Sequence, residues 1–320
     1  MTSKMIRPFD WRDFGLIRRI SESGVSFDSE AALTRGSHTL QSAVLSFLAP
    51  GVGLPTFVCK KDELDAFGQL RYRASDGNAH LTFVAPSYTG EAAWDALLEH
   101  LCVEAAARGA HNLVAEVDEH SQEFEALRRL GFAIYTRQHI WRREKPHPPV
   151  TAIVQPRLRP HHNADTVNIQ SLYANIVPRL IQLVEPPPMR YNHGYVLEEN
   201  SEITAVFDVS RGPLGIWVQP YLHPSVSDHC AVLVADLLCR FTDREAAPVY
   251  VCVRSHQEWL RSALIDLEFS PWGDQAVMVK RLAVRIGEPE FKPLPAINSG
   301  KVTTQMIKLK SPADPVIYFN

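Results

Sequence analysis

The chain has 320 residues, long for one domain and comfortable for two. It is 45% hydrophobic and 22% charged, a balance that excludes wholesale disorder. A formal net charge of -3 supplies no overall basic field for nucleic acid or an anionic membrane, and no apolar run approaches the ~20 residues of a membrane span, so neither is expected as a partner. The opening MTSKMIRPFDWRDF lacks the apolar stretch of a signal peptide. Cys59, Cys102, Cys230, Cys239 and Cys252 are odd in number, scattered and without a CxxC, and most lie in apolar stretches. They read as buried thiols of a reducing compartment, and a cytoplasmic protein is expected.

The first half shows a strand at 69–73 with alternating polarity, an Asp-Gly turn at 75–78 and a return strand at 79–85 that stops at Pro86. A helix follows from about Glu91 to Arg108, with Trp94, Leu97, Leu98, Leu101 and Ala105 on one face and Gly109 as its stop. Then come a strand at 112–117, a short helix at 121–130, the step Leu130-Gly131-Phe132 and an edge strand at 134–142. The segment KPHPPV at 145–150 reads as a stiff linker. Beyond it the order returns: strands at 203–209 and 214–219 around a turn at 210–213, a helix at 226–241, a strand at 248–253, a helix at 257–267 and a strand at 276–282. Val84-Ala-Pro86 aligns with Val218-Gln-Pro220, and Ala126 to Phe132 with Ala263 to Phe269, both at a separation near 135 residues. A unit this long is a duplicated domain. The expected organisation is one domain at 1–145, a second at 151–286 and a tail at 287–320. The tail's strand-like end, PVIYF at 315–319, suits addition to an exposed sheet edge and hence a homo-oligomer.

This order of elements resembles the GNAT family of acyl-CoA-dependent N-acyltransferases. Met5-Ile-Arg-Pro with Asp13, and Arg157-Leu-Arg-Pro160 with Asp165, resemble that family's opening strand and turn, and the Gly131-Phe132 step is similar to its own. The resemblance covers about residues 5 to 285. It implies an α/β fold of the α+β type, with two GNAT-like domains, each a mixed, mostly antiparallel sheet flanked by helices. It also implies acetyl-CoA or another acyl-CoA as cofactor and a small-molecule or peptide amine as acceptor. The family's Gln/Arg-x-x-Gly-x-Gly/Ala loop cradles pyrophosphate on backbone N–H groups at a helix start. Here it falls on residues 89–94, with Thr89, Ala92 and Trp94 at the signature positions, Gly90 at a variable one and Glu91 repelling an incoming phosphate. The implied cofactor residues are the backbone of Phe83, Val84 and Ala85 and the loop Thr89, Gly90, Glu91, Ala92 and Ala93, which makes the first half the better cofactor site. In the second half the matching loop, Pro220 to Asp228, has no glycine, and Ser225 with Asp228 fits a capping box that satisfies the helix itself.

Acyl transfer needs a base for the amine and a donor to the departing thiolate. The family's donor tyrosine position holds Leu127 and Leu264. Tyr88 and Tyr135 lie off that pattern, and His80 is the titratable residue of the strand at 79–84. His80 and Tyr135 are therefore the catalytic candidates, with Glu116 and Asp118 as weaker alternatives for the base, and Arg254 with His256 either binds an anion or belongs to a helix-cap region. Arg71-Tyr-Arg73 reads as an exposed sheet face. His161-His162 lacks a third ligand, so no metal site is expected. Two functions stand: an N-acyltransferase with its cofactor in the first half, or a non-catalytic GNAT-like module that binds a small ligand or a protein.

Overall fold

The computed structural model describes residues 5–36, 38–48, 54–61, 64–72, 77–88, 92–144, 157–188, 194–241 and 247–282. The linker at 145–150, the loop residues Thr89, Gly90 and Glu91, and the tail at 287–320 lie outside them. The chain divides into units Met1–Arg285 and Ile286–Asn320, and every described residue belongs to the first.

The first half runs β1 (Met5–Pro8), α1 (Phe14–Ile20), β2 (Val25–Ser26), α2 (Ser29–Arg35), α3 (Thr39–Leu48), β3 (Thr56–Lys61), β4 (Leu64–Tyr72), β5 (Asn78–Ala85), α4 (Ala92–Ala107), β6 (Asn112–Val117), α5 (Gln122–Arg129) and β7 (Ala133–Arg143). The second runs β8 (Arg159–Pro160), α6 (Thr166–Ile176), α7 (Arg179–Gln182), β9 (Gly194–Glu199), β10 (Glu202–Arg211), β11 (Ile216–Leu222), α8 (Cys230–Leu238), β12 (Val249–Arg254), α9 (Arg261–Asp266) and β13 (Ser270–Arg281). Local chemistry marks the repeat. Asp13 takes a two-pronged ion pair from Arg7 at 2.7 and 2.8 Å and accepts the Asp10 N–H at 3.0 Å. Asp165 does the same with Arg159, at 2.8 Å for both prongs, and accepts the His162 N–H at 2.8 Å. Each aspartate thereby satisfies free N–H groups where its first helix begins. Gly131 has φ +85°, and its counterpart Glu268 holds φ +61°, a left-handed turn in both copies.

Among the described residues all strands join one sheet, in the order β1-β3-β4-β5-β6-β13-β7-β12-β11-β10-β9-β8, with β2 set against β5. The order is nearly symmetrical about its centre, because the halves exchange their last strands. β13 pairs with β6 of the first half, and β7 pairs with β12 of the second. The strand expected at the edge, 134–142, is therefore central. Its inward residues, among them Ile140 and Trp141, are covered on both faces. Gln138 and Gln275, matched positions of the repeat, stand opposite each other where β7 meets β13, and the Gln138 amide donates to Gln275 at 2.8 Å. Helices α4, α5, α8 and α9 cover one face, burying the stripe Trp94, Leu97, Leu98 and Leu101 and its counterpart Leu233, Val234 and Leu237. On the other face α1 and α3 cover the β3–β5 side and α6 and α7 the second half, while α2 crosses from the first half to lie on β10 and β11. Gly212 and Gly215 permit that crossing: a Cβ on Gly212 would sit 2.2 Å from the Thr34 carbonyl oxygen, and one on Gly215 2.6 Å from that of Leu33.

Two helices begin later than their spacing predicts. Residues 224–229 and 255–260 are 3-10 turns ahead of α8 and α9. Pro224 opens the first, and Gln257, at φ −119° and ψ 24°, breaks the second.

Candidate functional site

In each half two neighbouring parallel strands pair over three residues and then part. β5 and β6 pair from Asn78/Asn112 to His80/Val114, and β11 and β12 from Ile216/Val249 to Val218/Val251. The registers match β5 to β11 such that Pro86 corresponds to Pro224. The alignment of Val84-Ala-Pro86 with Val218-Gln-Pro220 is corrected accordingly, and Pro220 lies inside β11.

The gap in the first half is filled by the chain itself. Val25 stands opposite Val84 and Ser26 opposite Phe83 in antiparallel pairing. The Phe27 N–H donates to the Thr82 carbonyl at 2.9 Å, and the Phe27 carbonyl accepts the Glu116 N–H at 3.0 Å, so this strap bonds both separated strands. The Ser87 N–H closes the end on the Ser23 carbonyl at 2.6 Å. Gly24 lies flat on Phe83: an added Cβ would meet its ring at 2.2 Å and Ala85 at 2.8 Å. Phe27 reaches through to Trp94, ring centres 6.3 Å apart. The expectation that the backbone of Phe83, Val84 and Ala85 receives a pantetheine arm is thus corrected, since β2 occupies that edge. Ala93 is no loop residue but is buried within α4, which begins at Ala92, and Trp94 is core.

The gap in the second half has no strand in it among the described residues, yet its edge is poor in free groups. The Ile216 N–H points toward β12, donating to the Pro248 carbonyl at 2.9 Å. By strand alternation residues 218, 220 and 222 present their backbone groups to the same side. Position 220 is proline and has no N–H to give. The Leu222 carbonyl accepts the side-chain amide of the buried Gln257 at 3.1 Å. At the following turn the His223 imidazole, not Ser225, is the cap: its Nδ1 accepts the Ser225 N–H at 3.2 Å. The expected Ser225/Asp228 capping box is absent, and the helix start satisfies itself by other residues. The donor-tyrosine positions Leu127 and Leu264 are both fully buried in the core.

Between the gaps, where the halves meet, lies a cavity of about 520 Å³. It draws side chains from α2 and from strands of both halves: Asp28 and Glu30, Arg71, His80, Glu116, Tyr135 and Gln138 from the first, and Asp208, Gln219, Tyr221 and Arg254 from the second, with Glu185 and the three prolines after it. The candidates His80 and Tyr135 are thus brought into one site. A bulge in β7 places Tyr135 there, since Thr136 and Ile134 pair with adjacent β13 residues and Tyr135 is left out. Asp118 is not brought in and is exposed. Arg71 is corrected from an exposed sheet face: it is partly buried and ion-paired with the N-capping Asp28.

Charge in the cavity is organised in pairs. Arg254, 6% exposed, donates to Glu185 at 2.6 Å, and Tyr135 donates to the same Glu185 oxygen at 2.5 Å. Burial works against the Arg254 charge, but Glu185 outweighs it and the guanidinium stays protonated. Burial raises the Tyr135 hydroxyl well above its usual range, and the Glu185 charge adds to this, so Tyr135 holds its proton and is a poor acid. Glu116 is raised above the usual carboxylate range by burial first and by Asp28 second, with Arg254 opposing. One of its oxygens accepts the Ser29 N–H at 2.8 Å. Beside Arg254, burial and that positive charge push His256 down to about 4, which leaves it neutral at neutral pH. Among the described residues Nε and Nη1 of Arg254 and both ring nitrogens of His256 are buried without a hydrogen-bond partner. No group of three His, Cys, Asp or Glu among the described residues is placed to hold a metal ion. Sequence reading missed Asp28, Glu185, Gln138 and Gln219. Only Gln219, a lone polar residue in the apolar strand β11, carried a sequence signal.

No family model matches the chain, and no curated protein matches it. Solved structures do. A GCN5-related N-acetyltransferase from Sphaerobacter thermophilus aligns over 87% of this chain and 95% of its own, at 11% identity and a TM-score of 0.56. A tandem GNAT protein from the clavulanic acid biosynthesis pathway aligns over 87% of this chain and 98% of its own, at 13% identity and a TM-score of 0.50. At such identities the likeness speaks for fold, and the doubled order of elements, the matched Arg–Asp pairs and the two parted strand pairs agree with it. The chain has a tandem GNAT-like fold.

Proposed function

We propose that the protein is a non-catalytic GNAT-fold module that binds a small polar ligand in the cavity between its halves. The observation that carries this reading is that both places where the fold would receive an acyl-CoA are altered, the first filled by the chain's own strap and the second short of free backbone groups. In the first half the strap 23–27 bonds both parted strands. In the second, Pro220 withholds an N–H, Gln257 holds the Leu222 carbonyl and His223 caps the turn. The core leucines at the donor-tyrosine positions support the same reading. A fold by itself is a weak warrant for an activity, and the site decides.

A second reading is acyl-CoA-dependent N-acyl transfer to a small-molecule or peptide amine. It is favoured by the side of β11 that faces β12, which has no strand partner past Val218 among the described residues, and by Glu116, whose raised pKa suits a general base. Calorimetric titration with acetyl-CoA, propionyl-CoA and a long-chain acyl-CoA separates the two. The first reading predicts no heat of binding and no rise in melting temperature. Binding accompanied by acylation of any member of an amine panel overturns it.

A further inference from the structure

Resting on the reading of the cavity as a binding site, we propose that its ligand is a compact zwitterion of the amino-acid type, its carboxylate held by Arg254 and its ammonium by Glu116. The charged lining is arranged in opposed ends. At the second-half end Arg254 spends one Nη on Glu185 at 2.6 Å, while its Nε and Nη1 are buried and unpartnered among the described residues. A buried donor without an acceptor is costly, so a guanidinium that keeps such donors leaves a place for an acceptor. Nη2 lies between Nε and Nη1, so a carboxylate bonds one of them together with the Nη2 proton that Glu185 leaves.

The first-half end is acidic. Arg71 pairs with Asp28, and Glu116 stands beside that pair with the Ser29 N–H on one oxygen. Burial and the Asp28 charge raise the Glu116 carboxyl, and Arg254 opposes them. A ligand ammonium there would answer the repulsion between Glu116 and Asp28. Glu116 and Arg254 each feel the other's charge, so the two ends belong to one electrostatic site. Their strands are separated by β13 and β7, which puts the backbones three strand spacings, about 14 Å, apart. Both side chains line one cavity of about 520 Å³, room for a small molecule that meets both. A plain amine would leave the Arg254 donors unmet, and a plain carboxylate would bring a second negative charge to Glu116 without answering it. The zwitterion alone answers both ends.

The test is a thermal-shift and calorimetric panel of the standard amino acids with β-alanine and γ-aminobutyrate, each beside its methyl ester and its N-acetyl derivative, on the full chain. At least one free amino acid is expected to bind, with ester and N-acetyl forms weakened tenfold or more. Arg254→Lys keeps the charge facing Glu185 but loses the fork, and Glu116→Gln keeps the shape. Each is expected to weaken that amino acid at least tenfold while melting within a few degrees of the parent. Esters or N-acetyl forms that bind as tightly as the free acid overturn the zwitterion and leave the cavity reading standing. Unchanged affinity in both variants places the binding elsewhere and overturns both. No binding by any free amino acid overturns the zwitterion assignment.

Discussion

The two gaps in the sheet start alike and end differently. Each opens after three parallel pairs, and each is followed by a proline and a helix. In the first, the strap 23–27 of the same chain enters with Val25–Ser26 as an extra strand and the gap becomes core, with Phe27 seated against Trp94. In the second, no strand enters among the described residues, and single side chains answer the exposed backbone groups: Gln257 for a carbonyl, His223 for an N–H. The difference teaches that a parted strand pair is a demand for hydrogen bonds before it is a cofactor site. A cofactor, a strap or a few polar side chains can each meet that demand.

The comparison can be pressed at several points. The largest effect is expected from Gly24→Val, because its side chain would have to displace the Phe83 ring from a 2.2 Å approach and unseat the strap. A loss of about 3 kcal/mol is predicted by chemical denaturation, in the range of severe overpacking. An unchanged midpoint would mean that the strap is not seated. Next come Asp13→Asn and Asp165→Asn, which break matched ion pairs at about 2 kcal/mol each. The Asp13 change should be the larger, since its side chain is fully buried and also meets Lys60 at 3.0 Å. Equal or reversed losses would show that the two copies carry this pair differently. Gln257→Leu should cost about 1 kcal/mol by leaving the Leu222 carbonyl unmet. A neutral result would show that water already reaches that edge.

The smallest effect is a pH slope. The Arg159 hydrogen bonds hold the Asp165 carboxyl at about 2, below the ordinary aspartate range. Because the folded value is the lower one, this contribution is full above about pH 4 and is lost as the pH falls toward 2. Denaturation midpoints measured across that range should fall less steeply in Asp165→Asn than in the parent. Parallel slopes would remove Asp165 from the acid limb.

Much of the fold was legible because it is local. The alternation in β4 and β5, the stripe from Trp94 to Ala105 and the stop at Gly109 each declare an element within a few residues. The repeat was legible because order and spacing return together. Strand neighbours were not: nothing within residues 134–142 says that β13 will lie on one side and β12 on the other, since exchange of the last strands is a pairing across half the chain. The strap was hidden for another reason. Two residues of β2 carry no periodicity, and its signs were Gly24, which the close approach to Phe83 requires, and Trp94, a bulky residue where a phosphate loop calls for a small one. The cavity was legible only in fragments. His80, Tyr135, Glu116 and Arg254 were each visible, but their convergence depends on sheet order and on the bulge at Tyr135.

The account's central claim is that the chain's own groups stand in for acyl-CoA in both halves. Hydrogen exchange followed with and without saturating acetyl-CoA tests it directly. The account predicts identical uptake at 82–88 and at 218–226, with the Phe27, Val84 and Ser87 amides slow in both samples. Slower exchange at either segment on addition of acetyl-CoA, at 218–226 above all, would contradict it.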